Sequence, residues 1–479
     1  ITEEITGQLA RIGDLTVLSR VAVERAVQTG SSLEDIARVL GAGTVLEGSV
    51  RMAGEQVRIT AQLIEVDSQR HLWSENFDRE LTDIFQIQTD VALAIGDALL
   101  AELSSRERQR IETPVTDNIR AYQLYLKQQR LRGNDPADNR EAIELLEQAL
   151  KLDPEFAEAR AQLSWRHTWN FRMTGDPSES ARAESLALEV VNQDPQLAMG
   201  HYVLGAALEG LERSKEAGAA YARAYTLDPN DGSVLSDGSY YFATQGTPAE
   251  GLAMAFQSVR QDPNNPNDRW HAFIPLFLLG DMARSSAWLQ LARDEGMDFH
   301  RLAAAEAELE LAKGNIDEAA ALARKMLEHY ADKREARLMA LWLMFQTGNA
   351  VEVGDELIAI GQESPEALAM HYTAPRSRRT LMAWVLAARG DDPAATRALD
   401  ESLQAAEVAI ANGSTDQRRS IDAASVHAYR GNHEAALREL ERAYELGLRA
   451  DFALAVDPFF VSLRDESRFQ MLLERMAES

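Results

Sequence analysis

Apolar residues change their spacing once along this chain, near residue 105. Before that point, Thr44–Met52 and Gln56–Val66 alternate apolar and polar positions on either side of Ala53-Gly54-Glu55. That is a hairpin pattern with one face reserved for a core. His71–Asp78 reads as a third extended segment, and Thr16–Arg20 as a short strand. Ile1–Ile12, Ser32–Leu40 and Thr82–Leu103 carry helical spacing, with Ser32 as the expected N-cap of the second and Asp35 in its first turn. Trp73 and Phe77 lie four apart in an alternating segment, so they share a face, which predicts core packing. Residues 1–105 therefore predict a small α+β domain, and 106–117 a linker around Pro114 with Asp117 capping the next helix.

After residue 118 the spacing becomes purely helical and acquires a longer period. Asp-Pro pairs end at Pro195, Pro229 and Pro263, and glycines follow the same 34-residue step at Gly246, Gly280, Gly314 and Gly348. A fixed period of this length marks a solenoid of helix pairs, each burying its apolar face on its neighbours. The punctuation has a local cause. Glycine ends the first helix of a pair where positive φ is cheap, and a capping residue opens the second. Thr247-Pro248-Ala249-Glu250 predicts a capping box, and Gly314-Asn315, Gly348-Asn349 and Gly431-Asn432 repeat the glycine-then-cap order. Proline then closes the second helix. Units are expected to start near 118, 157, 198, 232, 266, 300, 334, 376 and 417. Residues 118–479 thus predict an α-solenoid superhelix of about nine units with a C-terminal capping helix, making the chain mainly α.

Two resemblances follow from these residues. The unit Ala198–Asp231 places Gly205, Ala217 and Ala224 at the small positions and Leu204 and Tyr221 in the gaps, and so resembles the tetratricopeptide (TPR) repeat. Upstream, Val45–Arg51, Val57–Ile64 and His71–Arg79 resemble the TolB amino-terminal-like domain, with Ile1–Ile5 matching its first helix and its preceding strand absent. That resemblance implies a bacterial regulatory protein in which an effector lies upstream: a winged-helix DNA-binding domain, a nucleotide cyclase or a protein kinase. The chain is accordingly expected to be a fragment of a longer product. The TolB-like resemblance and the lack of cysteine lean towards the periplasm over the cytoplasm.

Composition narrows the partners. The formal charge of −27 argues against a nucleic-acid surface, which needs clustered Lys and Arg. The longest apolar run, around Ala272–Leu279, is far below the roughly 20 residues of a membrane span. Cysteine is absent, which excludes disulfides, thiol nucleophiles and thiolate metal sites. No phosphate-cradling glycine loop, HExxH, GxSxG or SxxK motif occurs. Asp228-Pro229-Asn230-Asp231-Gly232 lacks the ligand spacing of a calcium loop, and His427 and His433 do not share a face. Glu306 and Glu310 read as an i,i+4 pair on a solvated helix. No catalytic residue, cofactor or metal is predicted.

One constellation remains. In the 34-residue register the groove-facing positions hold Trp165, Trp169, Tyr202, Tyr240, Trp270, Phe277, Trp342 and Phe345. Such aromatics can anchor an extended or helical peptide. They can equally pack against the next unit, and both readings stand for this set. The basic clamp that some TPR proteins use for a peptide's terminal carboxylate is missing, since the key positions hold Ala161, Trp165, Tyr202, Ala206, Ser236 and Tyr240. The expected partner is a neutral to basic, partly apolar protein or peptide, with a second copy of the chain also counted. The expected role is a non-catalytic binding, sensory or scaffold module, or the non-catalytic part of a cyclase or kinase.

Overall fold

The computed structural model describes residues 33–53, 56–80, 84–99, 111–131, 135–174, 176–245, 247–363, 378–390, 392–449 and 457–477, together with isolated positions outside these spans. Of the expected strand Thr16–Arg20 only Val17 and Leu18 are described, and they are irregular instead of extended in a sheet; most of the helix Ile1–Ile12 and the hairpin turn at Gly54-Glu55 lie outside the described residues.

The N-terminal region is an antiparallel sheet of β1 (Thr44–Ala53), β2 (Gln56–Glu65) and β3 (Arg70–Glu80) in that order, flanked by helices Leu33–Leu40 and Ile84–Ala98. Alternation decides which face is covered. Val57, Ile59, Ala61 and Leu63 of β2 are buried with Phe77 of β3, against Val91, Ala92 and Ile95 of the second helix. The intervening β2 residues face away from that core and make cross-strand polar pairs: Thr60 with Asn76 at 2.7 Å and Gln62 with Glu47 at 2.8 Å. Trp73 packs half-buried on the same core as Phe77, with ring centroids 6.2 Å apart.

The rest is a TPR-type α-solenoid. Among the described residues, nine helix pairs follow one another. They are Ile119–Gln129 with Pro136–Leu152, Ala157–Thr174 with Pro177–Gln193, and Ala198–Gly210 with Ser214–Leu227. Next come Gly232–Thr244 with Pro248–Gln261, Pro266–Leu278 with Met282–Asp294, and His300–Ala312 with Ile316–His329. Arg334–Gln346 with Ala350–Glu363, Arg378–Ala388 with Asp392–Ala411, and Gln417–Tyr429 with His433–Glu445 complete the set. We number these units one to nine and call their helices A and B. Each A helix begins within two residues of the start expected from the period. Unit two stretches the step because its helices run 18 and 17 residues. A 3₁₀ turn, Pro458–Leu463, and helix Ser467–Ala477 close the array, burying Phe460 and Phe469 over the last unit.

The Asp-Pro signal works through its aspartate as well as its proline. Asp153, Asp194 and Asp228 each end a B helix, the first two in extended backbone. Their carboxylates then accept from the amide two residues on, at 3.0, 2.9 and 3.3 Å. Asp231 likewise caps helix A of unit four by accepting from Ser233 and Val234, which explains the acidic string without calcium. At the A-to-B turn, Gly314 has φ +82° and Gly431 φ +72°, as the C-cap requires.

Three caps differ from expectation. Asn118, not Asp117, caps the first solenoid helix, because its side chain reaches the amide of Ala121 at 3.0 Å. The Thr247 hydroxyl makes no cap and turns back to the carbonyl of Phe242 at 3.1 Å. Asn315 also makes no side-chain cap, and its amide group donates to Glu310 at 2.7 Å.

Candidate functional site

The A helices build the inner wall, and their aromatic residues meet from unit to unit. Trp165 of unit two lies 5.4 Å from Tyr202 of unit three, Tyr240 of unit four 5.9 Å from Trp270 of unit five, and Trp342 of unit seven 6.1 Å from Trp384 of unit eight. The wall divides in two. Trp270, Phe277, Trp342 and Phe345 are buried in one apolar cluster that runs from unit five to the C-terminal cap. Trp384 is the hub of its far end, 4.4 Å from both Phe345 and Phe459. Tyr202 is also buried, whereas Trp165, Trp169 and Tyr240 are half-buried. The candidates that stay accessible, Trp165, Trp169 and Tyr240, therefore lie in units two and four.

Charged groups surround those accessible aromatics. The guanidinium of Arg172, in the last turn of the long A helix of unit two, lies 5.0 Å over the Trp165 ring. It faces Asp237 at 3.7 Å and Glu209 at 3.9 Å. The acids are themselves held: Tyr202 donates its hydroxyl to Asp237 at 2.9 Å, and Tyr221 donates to Glu209 at 3.3 Å. Surrounding protein opposes the Arg172 charge, but Asp237 and Glu209 outweigh it and keep its pKa above the ordinary value. Burial pushes the Glu209 carboxyl up, with Arg172 opposing. Further along, Arg301 stacks 4.7 Å from Trp270 and is bonded to Glu335 at 2.7 Å and Asn267 at 3.0 Å.

The opposite side of this opening is supplied from far along the chain. Gln417, at the start of unit nine, donates to the carbonyl of Thr244 at 2.7 Å. Arg419 makes a two-pronged ion pair with Glu212 in the A-to-B turn of unit three. The solenoid thus curls until its ninth unit touches its third and fourth.

Ser236, His271 and Asp268 form an arrangement that superficially suggests nucleophilic catalysis. The Ser236 hydroxyl bridges the other two, 3.1 Å from Asp268 and 3.0 Å from His271 Nδ1. A triad needs histidine between serine and carboxylate, and here serine is in the middle. Burial pushes His271 down to about 4, which keeps it neutral. Among the described residues, no group of three or more His, Asp or Glu side chains is placed to hold a metal ion.

Two side chains were missed in the sequence. Trp384 is the ninth residue from the unit start expected near 376, the same register position as Trp165, Tyr240 and Trp342, so the register held the signal for it. Glu308 lies between Glu306 and Glu310 on the buried face, and burial pushes its carboxyl up to about 8. Its i,i+4 alignment with Ala304, instead of with the other acids, was the available signal.

No protein-family profile matches the chain. It is similar to a curated protein of Rhizobium meliloti (strain 1021) described as "Putative adenylate cyclase 3", 34% identical over 224 residues, 45% of this chain. The chain covers 38% of that relative's length. Among solved structures it is similar to Pseudomonas aeruginosa PilF, with 20% identity, 45% of this chain and 93% of that one covered, and TM-score 0.34. It is also similar to the Cut9–Hcn1 assembly, with 14% identity, 82% and 63% covered, and TM-score 0.35. A third is a thermophilic TPR protein of Thermus thermophilus, with 20% identity, 47% and 95% covered, and TM-score 0.26. Among the described residues, no helix is long and apolar enough to cross a membrane.

Proposed function

We propose that the chain is a non-catalytic module that binds a protein or peptide, as the regulatory portion of a larger bacterial signalling protein. The observation that carries this is that Trp165, Trp169 and Tyr240 stay half-buried, Trp165 beneath the guanidinium of Arg172, while Trp270, Phe277, Trp342 and Phe345 of later units are buried. The partner is neutral to basic and partly apolar, in keeping with a chain of charge −27. Residues 1–105 are assigned to a TolB amino-terminal-like domain, supported by three strands lying on the three blocks that resemble it. Residues 106–117 are the linker and 118–479 the superhelix. Selection of displayed peptides on the purified chain, followed by calorimetry with Trp165→Ala, tests the binding role. Loss of binding with helicity kept supports it, and binding indifferent to Trp165 and Tyr240 substitution counts against this wall. Turnover of ATP or GTP by the purified chain would sink the non-catalytic assignment.

A second reading is favoured by the relative's name: the chain is the non-catalytic part of a nucleotide cyclase whose catalytic domain lies upstream. Cyclic-nucleotide synthesis by the full gene product, altered by deleting the solenoid, would support it. A full product without cyclase activity excludes it.

A further inference from the structure

Among the described residues, three arginines of the solenoid lie over tryptophan rings, and two are locked. Arg301, over Trp270, is bonded to Glu335 and Asn267 at 2.7 and 3.0 Å. Arg269, over Trp288, is bonded to Glu295 at 2.6 Å and is almost wholly buried. Arg172 differs. Its contacts with Asp237 and Glu209, 3.7 and 3.9 Å, are longer than hydrogen bonds, and its side chain is 41% exposed. The site below it is nevertheless rigid. Tyr202 and Tyr221 hold the two carboxylates, Trp165 packs on Tyr202, and Tyr202, Tyr221 and Tyr241 form a continuous buried row of tilted rings with centroids 6.1 and 4.9 Å apart. A pre-organised cage of one tryptophan face and two carboxylates suits a guanidinium, yet the chain fills it with one that is loosely held.

We propose that this cage is the subsite for an arginine side chain of the partner, and that Arg172 is an internal stand-in which the partner displaces. The proposal rests on the peptide-binding reading above and specifies its chemistry. An incoming guanidinium can approach Asp237 and Glu209 to bonding distance while stacking on Trp165, because it is not tethered to the helix that carries the tryptophan. Arg172 acts as a competitor within the same molecule, so wild-type affinity is reduced by the fraction of time it occupies the cage. The extra length of the unit-two A helix, 18 residues against 13 in unit three, is what carries Arg172 that far.

The test uses the full chain with ¹⁵N-labelled tryptophan, the Trp165 indole signal being assigned through Trp165→Phe. N-acetyl-arginine amide should shift that signal saturably, and the uncharged citrulline counterpart should bind about 10-fold more weakly. Arg172→Ala should tighten arginine binding, with Arg172→Gln as the alternative if the alanine variant loses helicity. Asp237→Asn combined with Glu209→Gln should abolish it. An indole signal unmoved in both wild type and Arg172→Ala, or equal response to citrulline, overturns the proposal. A peptide array separates the two levels. Sequence-dependent retention indifferent to arginine content overturns the cage and leaves peptide binding standing. Arginine filling the cage while no peptide is retained upholds the cage and removes the peptide reading.

Discussion

Arg419 and Glu212 are 207 residues apart in the chain and meet in a two-pronged ion pair, Nε to Oε2 at 2.8 Å. The pair joins the first turn of the ninth A helix to the turn between the helices of unit three, so it reports curvature summed over the intervening units. Both side chains are about one quarter exposed, 23% and 25%, which screens the pair without dissolving it. Glu212 itself adopts φ +59°, an uncommon conformation for a residue with a side chain. Arg419→Ala should therefore cost only about 1 kcal/mol of stability but loosen the closure. Small-angle scattering should show a larger radius of gyration for Arg419→Ala and for Glu212→Gln, and at high salt for wild type. Unchanged scattering for both variants would mean that the Arg419–Glu212 pair does not set the curl.

Glycines of the solenoid should separate by what a Cβ would meet. At Gly251 it would lie 2.6 Å from the carbonyl oxygen of Ser239 and 2.7 Å from the amide nitrogen of Ala243, and backbone cannot step aside. Gly251→Ala should cost about 3 kcal/mol or more as the two helices of unit four shift apart. At Gly314 the space is open and only the φ of +82° resists, so Gly314→Ala should cost about 1 kcal/mol. Thermal melts of the two variants check the order, and a milder effect at Gly251 would contradict the close helix approach.

Glu308 gives the array a pH dependence of defined sign. Its folded pKa is raised to about 8 by burial, above an unfolded value near 4.5. The folded state therefore holds a proton that the unfolded chain releases as pH rises. Stability is unaffected by this group below about pH 4.5, falls between about 4.5 and 8, and stays lower above that. Glu308→Gln keeps the shape and removes the titration. It should match wild type near pH 4.5 and exceed it by roughly 5 kcal/mol at pH 9, read as denaturant midpoints. A constant difference across pH would show that Glu308 is not titrating.

The unit boundaries were legible because they are local chemistry. An aspartate that bonds two residues ahead, a proline that stops a helix and a glycine at positive φ act within a single turn, and each leaves a mark at a fixed step. Curvature is different. It accumulates small rotations between neighbours, and no local pattern says that unit nine will reach unit three. For that reason Trp165 and Trp270 occupy similar groove-facing positions in the sequence register yet meet different surroundings. Trp270 is buried in the cluster that continues to the C-terminal cap, and Trp165 is half-buried under Arg172. Thr247 teaches the same lesson on a smaller scale: its capping box is well formed in sequence, but the carbonyl of Phe242 wins the hydroxyl.

That difference between the two tryptophans makes the sharpest prediction. Trp270 is 5% exposed, stacked on Tyr240 and covered by Arg301, so its removal leaves a large cavity in the cluster that continues to the C-terminal cap. Trp270→Ala should destabilise the chain by about 3–5 kcal/mol and broaden its melt, as the later units uncouple from the earlier ones. Trp165 is half-buried, touching Tyr202 below and Arg172 above, and its removal opens onto solvent. Trp165→Ala should cost about 1–2 kcal/mol and keep a single cooperative melt. Circular dichroism melts of both variants decide the matter. If Trp165→Ala proves as disruptive as Trp270→Ala, the open wall of units two to four is itself a packed core, and no aromatic anchor remains there for a partner.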